Sequence, residues 1–391
     1  MKSGLKIAYF KHSKVSISET FIRDLICSLD NQNELKLYLG VKEKSKKIVK
    51  NQFFTGFFNP DSFKIRASFK LNSVLSVKNA MKKRQSQLAR KASSKLKNIK
   101  FDADVAYIDY ATIGVVLMDE LFRRKIPFVV HVHGFDITSA TNDTAYTIRL
   151  QNLFEKCSHF ICASNYMKRL LVLLGCNVSK ISVVHYGINP DVDVLDWNER
   201  LKQDPTICFL GRLTPKKHPT ALVHAFNLVQ KKLPSVKLKI IGDGPLMNDI
   251  KSLVSRLEID KKVIFLGEMD RQNSFKHLRS SWVFAQHSVT SVVGDQEGYA
   301  ISLAEAALHE LPVVSTIHNG IPEHVISGET GFLVKEFDYE EMADRILELI
   351  RNPKLMRQFG KNGRKNIINI NQHEERLKKI EGILNRIIIK R

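Results

Sequence analysis

Two glutamates, Glu297 and Glu305, stand eight residues apart in the stretch GDQEGYAISLAEAALHE, separated mostly by small and apolar residues. The polar run before them reads as a loop and YAISLAEAALHE has helix composition, so Glu297 falls in the loop and Glu305 one to two turns into the helix. Between them lie the amides of Gly298, Tyr299, Ala300, Ile301 and Ser302. Unpaired N–H groups and the positive end of a helix dipole make such a start a site for a phosphate. Two carboxylates flanking the anion can then accept hydrogen bonds from hydroxyl-bearing groups, a ribose on one side and a sugar on the other. The spacing alone carries little weight, because such pairs arise by chance among the glutamates of a chain this long.

Further groups with chemical potential fall where strands should end. FLGRLTPKKH places Gly211 at a turn and delivers Arg212 and Lys217, two cations able to grip adjacent phosphates. Among 61 Lys and Arg residues this pattern is weak by itself. IIGDGPLMNDI closes another strand with Gly242-Asp243-Gly244-Pro245; it lacks G-x-G-x-x-G spacing and reads as a tight turn rather than a nicotinamide site. VVHVHGFDITS supplies His131, His133, Gly134 and Asp136, which could orient sugar hydroxyls or support developing charge. A core-facing histidine and a helix-capping Asp136 explain the same residues. The H-x-H pair has no evident third ligand nearby, and no metal is expected. Neither a nucleophile elbow nor a P-loop occurs. The D-x-D triplets, Asp102-Asp104 before a strand and Asp191-Asp193 in a linker, are poor metal–nucleotide candidates.

These groups need a scaffold that brings strand ends together. Short β-rich runs (LKIAYF, ELKLYLG, ADVAYI, PFVVHV, HFICA, ISVVH) alternate with amphipathic helical segments. The rhythm restarts after YGINPDVDVLDWNERLKQDP with TICFLG, VKLKIIG, KVIFLG, WVFAQ, PVVST and GFLV. Such alternation implies two doubly wound α/β domains with parallel sheets, which bind ligands at the carboxyl ends of their strands. The expected division is 1–190, a linker over 191–204, 205–370, and a C-terminal helix over 371–391 returning to the first domain. Residues 42–100 resist assignment and fit a mobile insertion.

At 391 residues the chain exceeds what one core supports, about 250–300 residues. Its 43% hydrophobic and 26% charged residues are those of a globular protein. No run approaches a membrane span, and MKSGLKIAYFKHSK reads as a first strand, so a cytoplasmic protein is expected. Five cysteines without a C-x-x-C pair point to free thiols. Residues 1–100 hold 23 Lys+Arg against 6 Asp+Glu, +17 of the total +21. A domain so charged is attracted to anionic lipid headgroups or nucleic acid.

Taken in order, G-R-L-x-x-x-K, G-D-G-P, E-x7-E and PVVSTIHNGIPEHVISGETGFLV resemble the nucleotide-sugar-binding half of the family 4 retaining glycosyltransferases, which have the GT-B fold. SISETFIRDL and HGFDIT resemble first-domain segments of the branch that builds bacterial exopolysaccharide of the colanic-acid type. The resemblance implies two Rossmann-like domains facing a cleft and transfer of a hexosyl unit from a nucleoside-diphosphate sugar to a saccharide or lipid-linked acceptor in surface polysaccharide or lipopolysaccharide synthesis. It implies that Arg212 and Lys217 contact the donor diphosphate, with Gly211 at their turn. Glu305 would hold the ribose, Glu297 would lie near the sugar hydroxyls, and the amides from Tyr299 to Ser302 would cradle phosphate and sugar. His133 corresponds to a histidine near the sugar and Asp136 to its loop companion. Neither metal nor other cofactor is implied, and with a lipid-linked acceptor the basic first domain would touch anionic inner-membrane lipids; no nucleic acid is expected. Two departures stand out: FKHSKVSISETF lacks the glycine-rich loop of many relatives, and Glu297-Gly298-Tyr299-Ala300 replaces E-x-F-G, so that Ala300 could narrow the sugar pocket. A sugar-nucleotide 2-epimerase of the same fold and a basic nucleic-acid-binding protein are the alternatives.

Overall fold

A computed structural model describes residues 4–13, 19–40, 47–55 and 102–389. Most of the unassigned segment 42–100, which holds much of the positive charge of residues 1–100, lies outside them. The chain divides into two compact units, Met1–Val184 with Arg376–Arg391, and His185–Glu375.

The first unit is built on β1 (Lys6–Lys11), α1 (Thr20–Gln32), β2 (Glu34–Leu39), β3 (Gln52–Phe54), β4 (Val105–Asp109), α2 (Ala111–Arg123), β5 (Phe128–His131), α3 (Thr144–Lys156), β6 (His159–Cys162), α4 (Asn165–Leu173) and β7 (Ile181–Val183). Its seven strands run in the order β3-β2-β1-β4-β5-β6-β7, all parallel. Strands covered on both faces read as continuous apolar runs, which is why β4, β5 and β6 are buried at every position. Helix starts follow local chemistry: Asp143 caps α3 by accepting from Ala145 and Tyr146, and Ser164 caps α4 by accepting from Met167. Among the described strands, only β3, three residues long, had no counterpart in those read from the sequence.

The second unit contains α5 (Trp197–Leu201), β8 (Thr206–Leu210), α6 (Pro219–Lys232), β9 (Lys237–Ile241), α7 (Met247–Arg256), β10 (Val263–Gly267), α8 (Arg271–Arg279), β11 (Val283–Ala285), α9 (Ile301–Leu308), β12 (Val313–Thr316), β13 (Gly331–Val334), α10 (Tyr339–Arg351) and α11 (Pro353–Ile370). Six parallel strands run β10-β9-β8-β11-β12-β13. The stretch expected as a linker carries α5, and Trp197 is buried in this unit's core with its indole N–H donating to Glu310 Oε2 at 2.7 Å.

A last helix, α12 (His373–Ile389), supplies Leu377, Ile380, Ile383, Leu384 and Ile387 to the core of the first unit, beside Ile22, Leu25 and Leu29 of α1. Four of the five cysteines are buried, Cys27 is half-buried, and all are free. Among the described residues no helix is long and apolar enough to cross a membrane.

Candidate active site

Both sheets reverse direction of winding once. In the second unit successive strands step outward from β8 to β9 and β10, then return to the other side at β11. The loops after β8 and β11 therefore diverge and leave a crevice at the carboxyl edge, the usual ligand position in such sheets. These are the loops that carry Gly211–Lys217 and Glu297.

Lys217 closes a short 3₁₀ turn, Pro215–Lys217, and its stem lies against Gly211, where an added Cβ would come within 3.0 Å of Lys217 Cδ and Cε. Its ammonium stands 3.3 Å from Glu297 Oε2 and donates to Gln286 Oε1 at 3.2 Å. Lys216 pairs with Asp295 at 3.3 Å, so the two lysines hold the 294–297 loop from one side. Burial pushes the Glu297 carboxyl up, but Lys217 and Lys216 outweigh it and bring it down to about 2, so the group is an anion at physiological pH. Arg212 is exposed and makes no ion pair among the described residues.

The glycines of G-D-G-P have a packing cause. A Cβ on Gly242 would sit 2.1 Å from the Gly211 carbonyl oxygen, and one on Gly244 2.5 Å from that of Leu213. The two loops lie backbone to backbone, tied by Leu213 N–H to Asp243 C=O at 2.9 Å. G-D-G-P is thus the bed on which the Gly211–Lys217 loop rests.

Helix α9 begins at Ile301 because Ala300 is in the left-handed region, φ 57° and ψ 63°. The first bond at its start is Leu303 N–H to Ala300 C=O, 3.0 Å, leaving the N–H groups of Tyr299 to Ser302 ahead of the helix's own ladder. Ser302 Oγ donates to Gln286 Oε1 at 2.9 Å, joining the helix start to the acceptor used by Lys217. The Tyr299 side chain turns into the core: its O–H donates to Asn371 Oδ1 at 2.6 Å and its ring stacks on His324. Only its main chain serves the loop. Ala300 packs among Leu303, Phe284 and Ile321, so its methyl group fills core space. Glu305 is buried in α9, with Arg271 Nε 3.5 Å from Oε1.

Sequence patterns missed the frame behind Glu297. The Glu297 N–H donates to His318 Nε2 at 3.2 Å, which assigns the ring proton to Nδ1, donating to Glu336 Oε1 at 2.6 Å. Asn319 Nδ2 donates to the Glu297 carbonyl. His318 and Asn319 lie in IHNGIPE, where only the extended order of residues hinted at them.

In the first unit the winding reverses between β1 and β4. His133 Nε2 lies 3.2 Å from Asp109 Oδ1, and Asp109 Oδ2 accepts from the Tyr9 hydroxyl at 2.6 Å. His131 is buried with Nδ1 2.7 Å from the Tyr107 hydroxyl; burial, with His133 and Arg376 beside it, holds its pKa far below the ordinary value. Asp109 is the third group that the H-x-H pair lacked in sequence, its ligand-type atoms within 4.8 Å of those of His131 and His133. Asp136 is fully buried, accepting from Ala111 N–H at Oδ2 and from His133 and Gly134 N–H at Oδ1, 2.8 to 3.0 Å. It clamps the α2 start to the histidine loop. At the end of β1, Lys11 pairs with Glu19 at 2.9 Å, and Glu19 Oε1 also accepts from the Tyr110 hydroxyl. The Asp102 and Asp104 carboxylates accept from the Lys6 ammonium and N–H, fastening β1 to the start of β4.

Two family models match, "Glycosyltransferase Family 4" over residues 55–192 and "Glycosyl transferases group 1" over 193–366. Together they run through most of the chain. The chain belongs to the family 4 glycosyltransferases. It is similar to the amylovoran biosynthesis glycosyltransferase AmsK of Erwinia amylovora, 28% identical over 64% of this chain and 62% of the relative. It is 30% identical to WcaL of Salmonella typhimurium, named for colanic acid biosynthesis, with 64% and 62% covered. The match thus spans about three fifths of these curated relatives' length. Among solved structures, HepE of Anabaena in complex with UDP-glucose superposes with a TM-score of 0.75 at 17% identity, covering 98% of this chain and all of that one. Sucrose-phosphate synthase of Thermosynechococcus elongatus gives 0.76 at 16% identity, covering 99% and 100%. The fold of this family 4 member is GT-B, with two Rossmann-like parallel-sheet domains.

Proposed function

We propose that the protein transfers a hexosyl unit from a nucleoside-diphosphate sugar to a saccharide or lipid-linked saccharide acceptor, with retention of anomeric configuration, in surface polysaccharide synthesis. The observation that carries this reading is the convergence of Lys217, Glu297, Gln286 and the start of α9 at the switch point of the second sheet.

Breaking the bond between sugar and diphosphate leaves negative charge on the departing phosphate. Lys217, Arg212 and the amides from Tyr299 to Ser302 are suited to stabilise it, and a preorganised set of donors is worth most where water is excluded. Glu297, held as an anion, cannot protonate a leaving group; it is suited to accept from sugar hydroxyls while keeping Lys217 in place. In the first unit His133, aligned by Asp109, is the group we assign to sugar hydroxyls, with Asp136 holding its loop. AmsK and WcaL are named for exopolysaccharides, and HepE was solved with UDP-glucose. The +17 charge of residues 1–100 supports a cytoplasmic protein that docks peripherally on anionic lipid.

The test is a thermal-shift screen against UDP-, GDP- and ADP-sugars, followed by product analysis with saccharide acceptors. A bound donor at 100 times its Kd raises stability by about 2.7 kcal/mol. No shift with any nucleotide sugar overturns the reading.

A further inference from the structure

Helix α8 opens with an arginine, the wrong charge for the positive end of a helix dipole. Asp270 caps this helix by accepting from Asn273 N–H at 2.8 Å, so the helix start is satisfied without Arg271. The Arg271 guanidinium lies over the Phe275 ring, 5.0 Å from its centroid, and its Nε is 3.5 Å from Glu305 Oε1. Glu305 is only 6% exposed and is the one charged residue of its helix, ISLAEAAL. A buried carboxylate is stable there only with charged or hydrogen-bonding partners.

Along α9 the anion-directed amides end at Ser302. Glu305 follows about 4.5 Å further along the axis, and Arg271 stands beside its carboxylate, Nε 3.5 Å from Oε1. On the glycosyl-transfer reading, a nucleoside diphosphate would have its phosphates at the helix start and its ribose at Glu305. We propose that Arg271 is a positioning residue for the nucleoside end of the donor: stacked on Phe275, it holds the Glu305 carboxylate in the orientation that accepts from the ribose hydroxyls. This assignment rests on the glycosyl-transfer reading above and deepens it.

The experiment measures binding by calorimetry to wild type, Arg271→Ala, Arg271→Gln and Arg271→Lys. The ligands are whichever of UDP, GDP and ADP binds wild type tightest, its 2′,3′-dideoxy analogue, and pyrophosphate. Losing a charge-assisted contact to the ribose-holding carboxylate should weaken the nucleotide about 10- to 100-fold in Arg271→Ala and Arg271→Gln. Arg271→Lys should recover part of the loss. Pyrophosphate affinity should be unchanged, and the wild-type preference for the nucleotide over its dideoxy analogue should collapse in Arg271→Ala. Equal losses for all three ligands, or an unchanged preference for the ribose hydroxyls, overturn the assignment while leaving the donor site intact. If Arg271→Ala does not fold, the Lys and Gln variants decide by the same comparison. Failure of wild type to bind any of the three nucleotides overturns the glycosyl-transfer reading and this assignment with it.

Discussion

At the residue scale, Lys217 has, on the proposed reading, two tasks that pull in opposite directions. Without donor it stands 3.3 Å from the Glu297 carboxylate; with donor bound, on that reading, its charge serves the diphosphate. Removing one preorganised charge-stabilising group typically costs about 10²–10³ in turnover. Lys217→Ala and Arg212→Ala should each lose that much, with Arg212→Ala leaving the thermal midpoint nearly unchanged because its side chain is exposed and makes no ion pair among the described residues. Steady-state kinetics with the identified donor checks this, and near-normal turnover in either variant removes that residue from the mechanism. Glu297 gives a pH signature. Its folded value of about 2 lies below the ordinary 4.5, so the anion stabilises the fold above about pH 4.5 and that contribution disappears as pH falls toward 2. Urea unfolding of wild type and Glu297→Gln should show a gap favouring wild type at pH 6 that narrows at pH 3. A gap that widens in acid would mean that the lysines do not hold this carboxylate.

At the scale of elements, the site depends on close backbone approach rather than on side-chain variety. Gly242→Ala would drive a methyl group into the Gly211 carbonyl, and also strain φ +129°. We expect a loss of at least about 2 kcal/mol and, because the bed of the Gly211–Lys217 loop moves, weaker donor binding as well. Equilibrium unfolding and donor titration together test both halves. Ala300→Val should cost about 1–3 kcal/mol, since a β-branched residue tolerates left-handed backbone poorly. At this scale the sequence was most readable. Apolar runs such as VAYID and TICFL announce parallel strands because both faces are covered, and the strand order follows from winding rules. What could not be read was direction. Periodicity does not say that the Tyr299 ring turns into the core toward His324, that Asp136 spends both oxygens on main-chain amides, or that Asp109, far away in sequence, meets His133. Those facts depend on which strand ends become neighbours. The Glu297 frame of His318 and Glu336 was illegible for the same reason.

At the scale of the whole molecule, each unit has its own sheet and its own core, and one helix breaks the correspondence between chain order and unit. Leu384 of α12 is fully buried in the core of the first unit, with Ile380 one turn away. Leu384→Ala should therefore cost about 2–5 kcal/mol, as for other buried leucines, and the loss should fall on the transition of the first unit. Calorimetry on the full chain, with a donor added to shift the second unit's transition upward, identifies which transition moves. A shift confined to the donor-sensitive transition would contradict this assignment of α12.

The same helix sets an order of events at the ribosome. The second unit is contiguous, His185–Glu375, and has every residue it needs once that stretch has emerged. The first unit, although made earlier, lacks Leu377, Ile380, Ile383, Leu384 and Ile387 until α12 appears. At about 5–20 residues per second, synthesis of the second unit imposes a wait of roughly ten seconds or more. The earlier-made half thus completes its core only after the later-made half has been synthesised, with the apolar face of α1 that α12 covers left open in the meantime.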